Sequence, residues 1–419
     1  MIFQNIINKS QILIPLFIFI FVQNCGADPK TDKNPFAKQV DVQGEFVGNL
    51  AMYDEDSTDK LTRLNQANNQ TSNSRRNAVT SAVAYAAPAI VGINVTEVHQ
   101  VQYRNQMMND PFFRRFFRSR TQSRTKLVKG LGSGFIVSSD GFILTNHHVA
   151  GNASKIVVTL TNGEKYDAEI VGADKVSDVC LLKINETDLP YLKLGDSDDL
   201  ITGEWVIALG NPFGLFDMNA KPTITVGVIS NYGVSFMNDS RVYKNMIQTD
   251  AAISSGNSGG PLVNAAGEVI GMNTVIFSTA QTNQGSGSIG IGFSIPINRV
   301  IDILDKLKNH GTINRDFSTG IDVVELNENI ARLIKTDREE GVVVNRVFRG
   351  SEGEKTGFLP GDIILKIDDC DIKKAEDYNI AVADGIAGDK HKFTILRNDK
   401  LMYIDLYYKP NKRKKSGIR

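Results

Sequence analysis

Cysteine is scarce in this chain of 419 residues: only Cys25, Cys180 and Cys370 occur, in dissimilar surroundings. Three such residues build no disulfide framework, and their spacing matches no zinc site, so no metal is expected. An excess of either charge is also missing, since 47 basic residues face 47 acidic ones. That balance removes any global electrostatic case for nucleic acid. The N-terminal apolar stretch Ile12 to Val22 falls far short of the ~20 residues a spanning helix needs. No βαβ rhythm appears, which argues against a parallel sheet with crossover helices.

What the N-terminus does hold is Lys9 followed by that short apolar stretch, which fits a secretory signal peptide. Cys25 comes next, in Val22-Gln23-Asn24-Cys25, a run that looks like a loosened bacterial lipobox. Cleavage there would leave Cys25 lipidated, and a multiply acylated residue anchors a protein at a membrane surface. Asn24 departs from the usual Gly, Ala or Ser, and the alternative is a plain signal peptide with an incidental cysteine. Residues 26–78 are polar and weakly patterned, as expected of a flexible tether. Cys180 and Cys370 read as structural bystanders.

The length leaves room for two or three domains. Order should begin near Val79, leading into Ala89 to Val95. Asp140-Gly141 then lies between Gly134-Phe135-Ile136-Val137 and Phe142-Ile143-Leu144-Thr145. Asn162-Gly163 lies between Val157 to Leu160 and Tyr166 to Val171. Such dipeptides between β-rich runs are strong hairpin signals, and Ala266-Gly267 is a weaker one. Many short strands so spaced predict a mostly β barrel or sandwich over 79–312. One helix is predicted near its end, capped by Asn298, with Val300, Ile303, Leu304 and Leu307 as an apolar stripe and Gly311 as the stop. A second β-rich module is expected over 317–410, with a helical patch from Glu328 to Lys335. The tail, 411–419, carries Lys412-Arg413-Lys414-Lys415 and reads as a solvated terminus rather than a lipid-binding patch.

Acyl transfer from an unactivated amide needs a nucleophile, a base beside it and donors for the oxyanion. Ser258 stands in Gly256-Asn257-Ser258-Gly259-Gly260-Pro261, where glycines let the chain turn sharply and bring N–H groups close to a carbonyl. Gly256, Asn257 and Ser258 are the candidate oxyanion-hole residues, with the Gly256 and Ser258 N–H groups as donors. His148 closes an apolar strand in Leu144-Thr145-Asn146-His147-His148-Val149, and Asp178 opens another in Val176-Ser177-Asp178-Val179. The order His148, Asp178, Ser258 matches the chymotrypsin arrangement. His148 would take the Ser258 proton and return it to the leaving amine, while Asp178 holds the imidazole. His147 adjoins His148, but neighbouring strand residues face opposite ways, so a shared metal is not expected.

These motifs, with Gly210-Asn211-Pro212-Phe213-Gly214 and Ile247 through Gly260, resemble the HtrA (DegP/DegS-type) serine proteases over about Ala86 to Pro410. The resemblance implies a chymotrypsin-like double β-barrel followed by one PDZ domain, without a cofactor. It also implies a homotrimer or higher homo-oligomer and ATP-independent cleavage of misfolded or signalling proteins in the cell envelope. Ser318-Thr319-Gly320-Ile321 resembles the family's carboxylate-binding loop, which captures peptide C-termini at a sheet edge. Phe358 through Ile364 resembles the Pro-Gly-Asp turn of such domains. Ala252 matches the floor of the specificity pocket, and an alanine there favours small aliphatic residues over Lys or Arg.

Pro111 through Arg118, with Arg120, Arg124, Lys126 and Lys129, sits where the family keeps a regulatory loop that reaches a neighbouring subunit. The mixture would also suit nucleic acid or membrane. Ser230 through Met237 resembles the family's sensor loop, but Val234 stands where several relatives keep an arginine, and Arg241 is a candidate substitute. A single PDZ domain with an anchor resembles the sensor-type relatives most. The competing readings are a chaperone-like binding scaffold with little proteolysis, and an enzyme exposed at the cell surface that cuts external proteins.

Overall fold

β-Branched and aliphatic runs broken by glycine turns account for most of the ordered chain. The computed structural model describes residues 74–103, 122–211, 221–238, 240–254, 256–276 and 290–411, with isolated positions from 62 to 71 and at 281–282 and 285–286. The signal-like stretch, Cys25, most of the tether, the Pro111 to Arg120 segment and the basic tail lie outside the described residues.

A helix, Ala78–Ala86, is capped by the Asn77 side chain and leads into the first barrel. That barrel is built from β1 (Ile90–Tyr103), β2 (Gln122–Ile136), β3 (Phe142–Asn146), β4 (Lys155–Thr159), β5 (Lys165–Asp174) and β6 (Val179–Ile184). It closes in the order β1-β2-β3-β6-β5-β4, entirely antiparallel. The second barrel takes β7 (Trp205–Gly210), β8 (Thr223–Asn238), β9 (Arg241–Thr249), β10 (Pro261–Asn264) and β11 (Val269–Ile276). A two-stranded ribbon of β12 (Gln281–Thr282) and β13 (Gly285–Ser286) follows, and β14 (Gly292–Pro296) completes the barrel. The chain is therefore mostly β, with the chymotrypsin-like pair of barrels that the motif order implies.

The Asp140-Gly141 and Asn162-Gly163 turns form where expected, each glycine taking a positive φ of 97° and 89°. Each barrel core is aliphatic: Ile90, Phe135, Leu144, Leu181 and Leu182 in the first and Val206, Ile247, Leu262 and Ile270 in the second are buried. A fully buried side chain of this kind contributes roughly 1.5–3 kcal/mol.

The expected helix runs Ile297–His310 and lays Val300, Ile303, Leu304 and Leu307 on the barrel. Gly172 on β5 allows this approach, because a Cβ there would sit 2.9 Å from the Cβ of Leu307. Gly311 ends the helix, with its N–H on the Leu307 carbonyl. Asn298 is not the cap: Pro296 holds that place, and the Asn298 side chain reaches across to the Asp196 carboxylate at 2.7 Å and the Ser197 N–H at 3.3 Å. A side chain one turn position too late cannot meet the free N–H groups, so it fastens the helix to a loop instead.

The last domain is a sheet in the order β15 (Ile321–Glu325), β16 (Val342–Val347), β17 (Ile363–Ile367), β19 (Lys390–Arg397) and β20 (Lys400–Tyr407), with β18 (Cys370–Asp371) on β17. Helices Glu328–Ile334, Glu352–Lys355 and Ala375–Ala383 accompany it. Its Pro-Gly-Asp turn is fixed by Asp362, which is buried, accepts the Leu359 N–H at 2.8 Å and pairs with Arg397 at 2.6 and 2.7 Å. Asp384, the C-cap of Ala375–Ala383, is the hub between this domain and the barrels. Arg299 grips its carboxylate at 2.6 and 2.9 Å, Lys244 lies 3.8 Å away, and Arg315 reaches both its backbone carbonyl and the Asp174 carboxylate.

Candidate active site

Asp178 is delivered by a tight turn just before β6, in the left-handed region with φ 59°. That conformation is unfavourable for most residues but tolerable for aspartate. The Asn146 side-chain amide and the His147 N–H both donate to the Asp178 carbonyl at 3.1 Å, which holds the turn. Its carboxylate is fully buried. Oδ1 accepts the His148 backbone N–H at 3.0 Å, and Oδ2 lies 2.7 Å from His148 Nδ1. Thr274 Oγ1 and the Tyr243 hydroxyl also donate to Oδ2, at 2.9 and 3.1 Å. Arg241 Nε stands 3.3 Å from Oδ1. Burial pushes the Asp178 carboxyl up, but the bonds from His148 and the charges of His148 and Arg241 outweigh it and hold the group below its ordinary value.

His147 and His148 do not continue the strand. They open a helical turn, His147–Ala150, so the opposite-face argument does not describe them. His147 is buried and packs its ring against Gly151, and burial pushes its imidazole below the ordinary value. His148 remains partly exposed beside a cleft of about 160 Å³ lined by Val95, Val128, Leu131 and Val149.

Ser258 comes from the second barrel, immediately before β10, and is buried. Its hydroxyl donates to the Thr274 carbonyl at 3.0 Å. A hydroxyl has one proton, so while this bond is made the proton is not donated elsewhere. Thr274 thus touches both groups, Asp178 through its hydroxyl and Ser258 through its carbonyl. The glycines do what the motif suggested. Gly259 has φ 85°, and a Cβ there would run into the Ser133 carbonyl and the Thr145 hydroxyl. The Asn257 N–H is taken by the Ser254 carbonyl at 2.9 Å. Among the described residues, no backbone acceptor meets the Gly256 and Ser258 N–H groups.

Several partners here carried no signal of their own in the sequence. Ser133 on β2 is buried, donates to the Gly256 carbonyl at 2.6 Å and accepts the Asn211 N–H at 2.7 Å. Its N–H bonds the Ser258 carbonyl at 3.0 Å. Tyr243 and Thr274 likewise come from strands whose pattern says only that they alternate. Val234, in the segment read as a sensor loop, lies within β8 and packs on the core. Ala252 is exposed, and its carbonyl accepts from Thr225 Oγ1 at 2.8 Å. Ser318 to Ile321 lead directly into the edge strand β15, with Gly320 at φ 70°.

Residues 132–272 match the trypsin-like peptidase domain family, and residues 319–406 match the PDZ domain family. A probable periplasmic serine endoprotease DegP-like of Pseudomonas putida is 38% identical over 341 residues, covering 78% of this chain and 69% of that protein. A protein of the same description from Rickettsia conorii is 36% identical over 359 residues, covering 83% and 68%. Among solved structures, the HtrA-type protease AlgW with decapeptide aligns with TM-score 0.58 and 36% identity, over 79% of this chain and 98% of that one. A serine endoprotease from Yersinia pestis aligns with TM-score 0.52 and 30% identity, over 80% and 98%. With two closed barrels, a serine, histidine and aspartate gathered where they meet, and these relatives, the chain belongs to the HtrA family of serine endopeptidases, with one trypsin-like domain and one PDZ domain.

Proposed function

We propose that the chain cuts polypeptides by acyl transfer through Ser258, with His148 as general base and acid and Asp178 as the orienting carboxylate. The observation that carries this is the 2.7 Å contact from His148 Nδ1 to a buried Asp178, joined through Thr274 to Ser258. Ser258 turns from the Thr274 carbonyl to His148 Nε2 and attacks the substrate carbonyl as its proton passes to the imidazole. The oxyanion faces the Gly256 and Ser258 N–H groups, while Asn257, held in its turn, shapes the hole. Asp178 stabilises the imidazolium, which gives its proton to the leaving amine, and water then releases the acyl group by the same path. None of these steps consumes ATP.

Ala252 offers no charge to a basic side chain, which supports cleavage after small aliphatic residues. The free edge of β15 behind Ser318, Thr319, Gly320 and Ile321 supports capture of peptide C-termini by strand addition. The names of the relatives support a periplasmic site of action. The family resemblance implies unfolded or signalling proteins as substrates and a homotrimer or larger assembly. Lipidation of Cys25 would fix the protein to a membrane there.

The test is purified wild type against Ser258→Ala on casein without nucleotide. Fragments from wild type alone support the reading, and equal fragments from both sink it. Suppressed aggregation by both proteins with no fragments from either would favour the chaperone-like scaffold.

A further inference from the structure

Asp178 has more partners than orientation of an imidazole requires. Its Oδ2 is crowded by His148 Nδ1, Thr274 Oγ1 and the Tyr243 hydroxyl, and its Oδ1 takes the His148 N–H. Arg241 Nε lies 3.3 Å from Oδ1 as an ion pair without the alignment of a hydrogen bond, with the arginine side chain 19% exposed. Arg241 and Tyr243 are two apart on β9 and so share a face of the strand. Val242 between them is held through its backbone, its N–H on the Val176 carbonyl at 2.7 Å and its carbonyl on Arg299 Nη2 at 3.3 Å. The start of β9 is thereby fixed against the turn that presents Asp178.

We propose that Arg241 is a positioning residue of the catalytic apparatus: its guanidinium pairs with the Asp178 carboxylate and keeps it in register for His148. The proposal rests on the triad reading above. It differs from the role that the resemblance suggested for this arginine, since the side chain meets the aspartate. A buried carboxylate flanked only by neutral donors is costly to ionise, and a permanent cation beside the opposite oxygen lowers that cost. The other ionisable groups facing this carboxylate and imidazole are His147, Asp174, Cys180 and Tyr243. Asp174 is already paired with Arg315 at 2.7 Å, while burial pushes the Cys180 thiol up to about 12 and the Tyr243 phenol up as well. Arg241 is therefore the cation left to set the local field.

The experiment measures kcat/KM against pH on a chromogenic peptide for wild type, Arg241→Met, Arg241→Lys and Asp178→Asn, with Tm alongside. Without that cation Asp178 is held ionised less firmly, so Arg241→Met should move the acidic limb to higher pH and lower the plateau about tenfold. Arg241→Lys, which keeps the charge without the fork, should restore the limb but only part of the plateau. If Arg241→Met does not fold, Arg241→Gln carries the same comparison. A limb that stays in place in the neutral variant, with only Tm reduced, overturns the proposal, as does a lysine variant indistinguishable from the neutral one. Asp178→Asn separates the two readings. If it leaves activity intact, the triad assignment fails; if it abolishes activity while the limb ignores Arg241, only the present proposal fails.

Discussion

Replacing Ser133 by alanine removes one oxygen and two short hydrogen bonds at the point where the barrels meet. The hydroxyl is buried, donates to the Gly256 carbonyl at 2.6 Å and accepts the Asn211 N–H at 2.7 Å. In Ser133→Ala both buried bonds are lost, at a cost of roughly 2–4 kcal/mol together. For a domain of this size that is a fall in Tm of about 5–15 °C. The backbone bond from the Ser133 N–H to the Ser258 carbonyl survives, as does that from the Thr145 hydroxyl to the Ser133 carbonyl. The nucleophile therefore stays tethered while Gly256, which supplies an oxyanion donor, loses its hold. The loss should fall on kcat, by about 10–100-fold, with KM little changed. The assay pairs kcat and KM on a short peptide with the affinity of a peptide boronate, whose adduct places an oxygen in the hole. Weaker boronate binding should accompany the lower kcat. An unchanged kcat beside the expected fall in Tm would refute the reasoning, because Ser133 would then serve packing alone.

Gly259→Ala should be more severe than Ser133→Ala, since a Cβ at φ 85° runs into the Ser133 carbonyl and the Thr145 hydroxyl. Labelling of Ser258 by a fluorophosphonate probe checks it, and labelling at the wild-type rate would refute it. Asp384→Asn leaves Arg299, Arg315 and Lys244 without their shared carboxylate, a change of about 1–3 kcal/mol for a half-buried charged hydrogen-bond acceptor. Limited proteolysis between Gly311 and Asp316 should quicken, while the isolated peptidase fragment keeps its cleavage. The buried carboxylates also set an acid limit. Burial raises Asp174, Asp178 and Asp384, but Arg315, His148 with Arg241, and Arg299 respectively outweigh it and hold each below its ordinary value. Groups with depressed folded values contribute stability that is complete above their unfolded values, about pH 4, and is lost as pH falls through the folded ones. Burial of the neutral His147 adds a loss that begins below its unfolded value, so calorimetry should show Tm declining from about pH 6.5 and more steeply below 4; a Tm that rises on acidification would contradict the sign.

The barrels and the meeting of His148 with Asp178 were legible in the sequence because their signals are local. Asp140-Gly141 and Asn162-Gly163 need glycine for a positive φ, as does Gly259 beside Ser258. Local reading failed where a contact crosses between elements. Asn298 looks like a helix cap by composition, yet Pro296 takes the cap and Asn298 meets Asp196, 102 positions away. His147 and His148 were read as strand residues because an apolar strand precedes them, whereas the chain turns helical there to bring His148 beside Asp178. Val234 was read by loop analogy, and bulges in the pairing of β8 with β9 instead draw it into a packed hairpin. Ser133 and Thr274 have no local signature, since their importance lies in partners 123 and 96 residues distant.

Those partners show a reciprocity that explains why two barrels are needed. Asp178 belongs to the first barrel, yet Thr274, Tyr243 and Arg241, which fill its oxygens, all come from the second. Ser258 belongs to the second, yet Ser133 and Thr145, which fix the backbone around it, come from the first. Each barrel thus helps to hold the other's reactive residue. An unpaired buried carboxylate or carbonyl costs several kcal/mol, so the groups that align the reaction also penalise any separation of the barrels. Packing of the barrels and catalytic alignment are on this account one equilibrium, and a change at the start of β9 acts on both. Arg299 already links that point to Asp384 of the PDZ domain, through the Val242 carbonyl on one side and the carboxylate on the other.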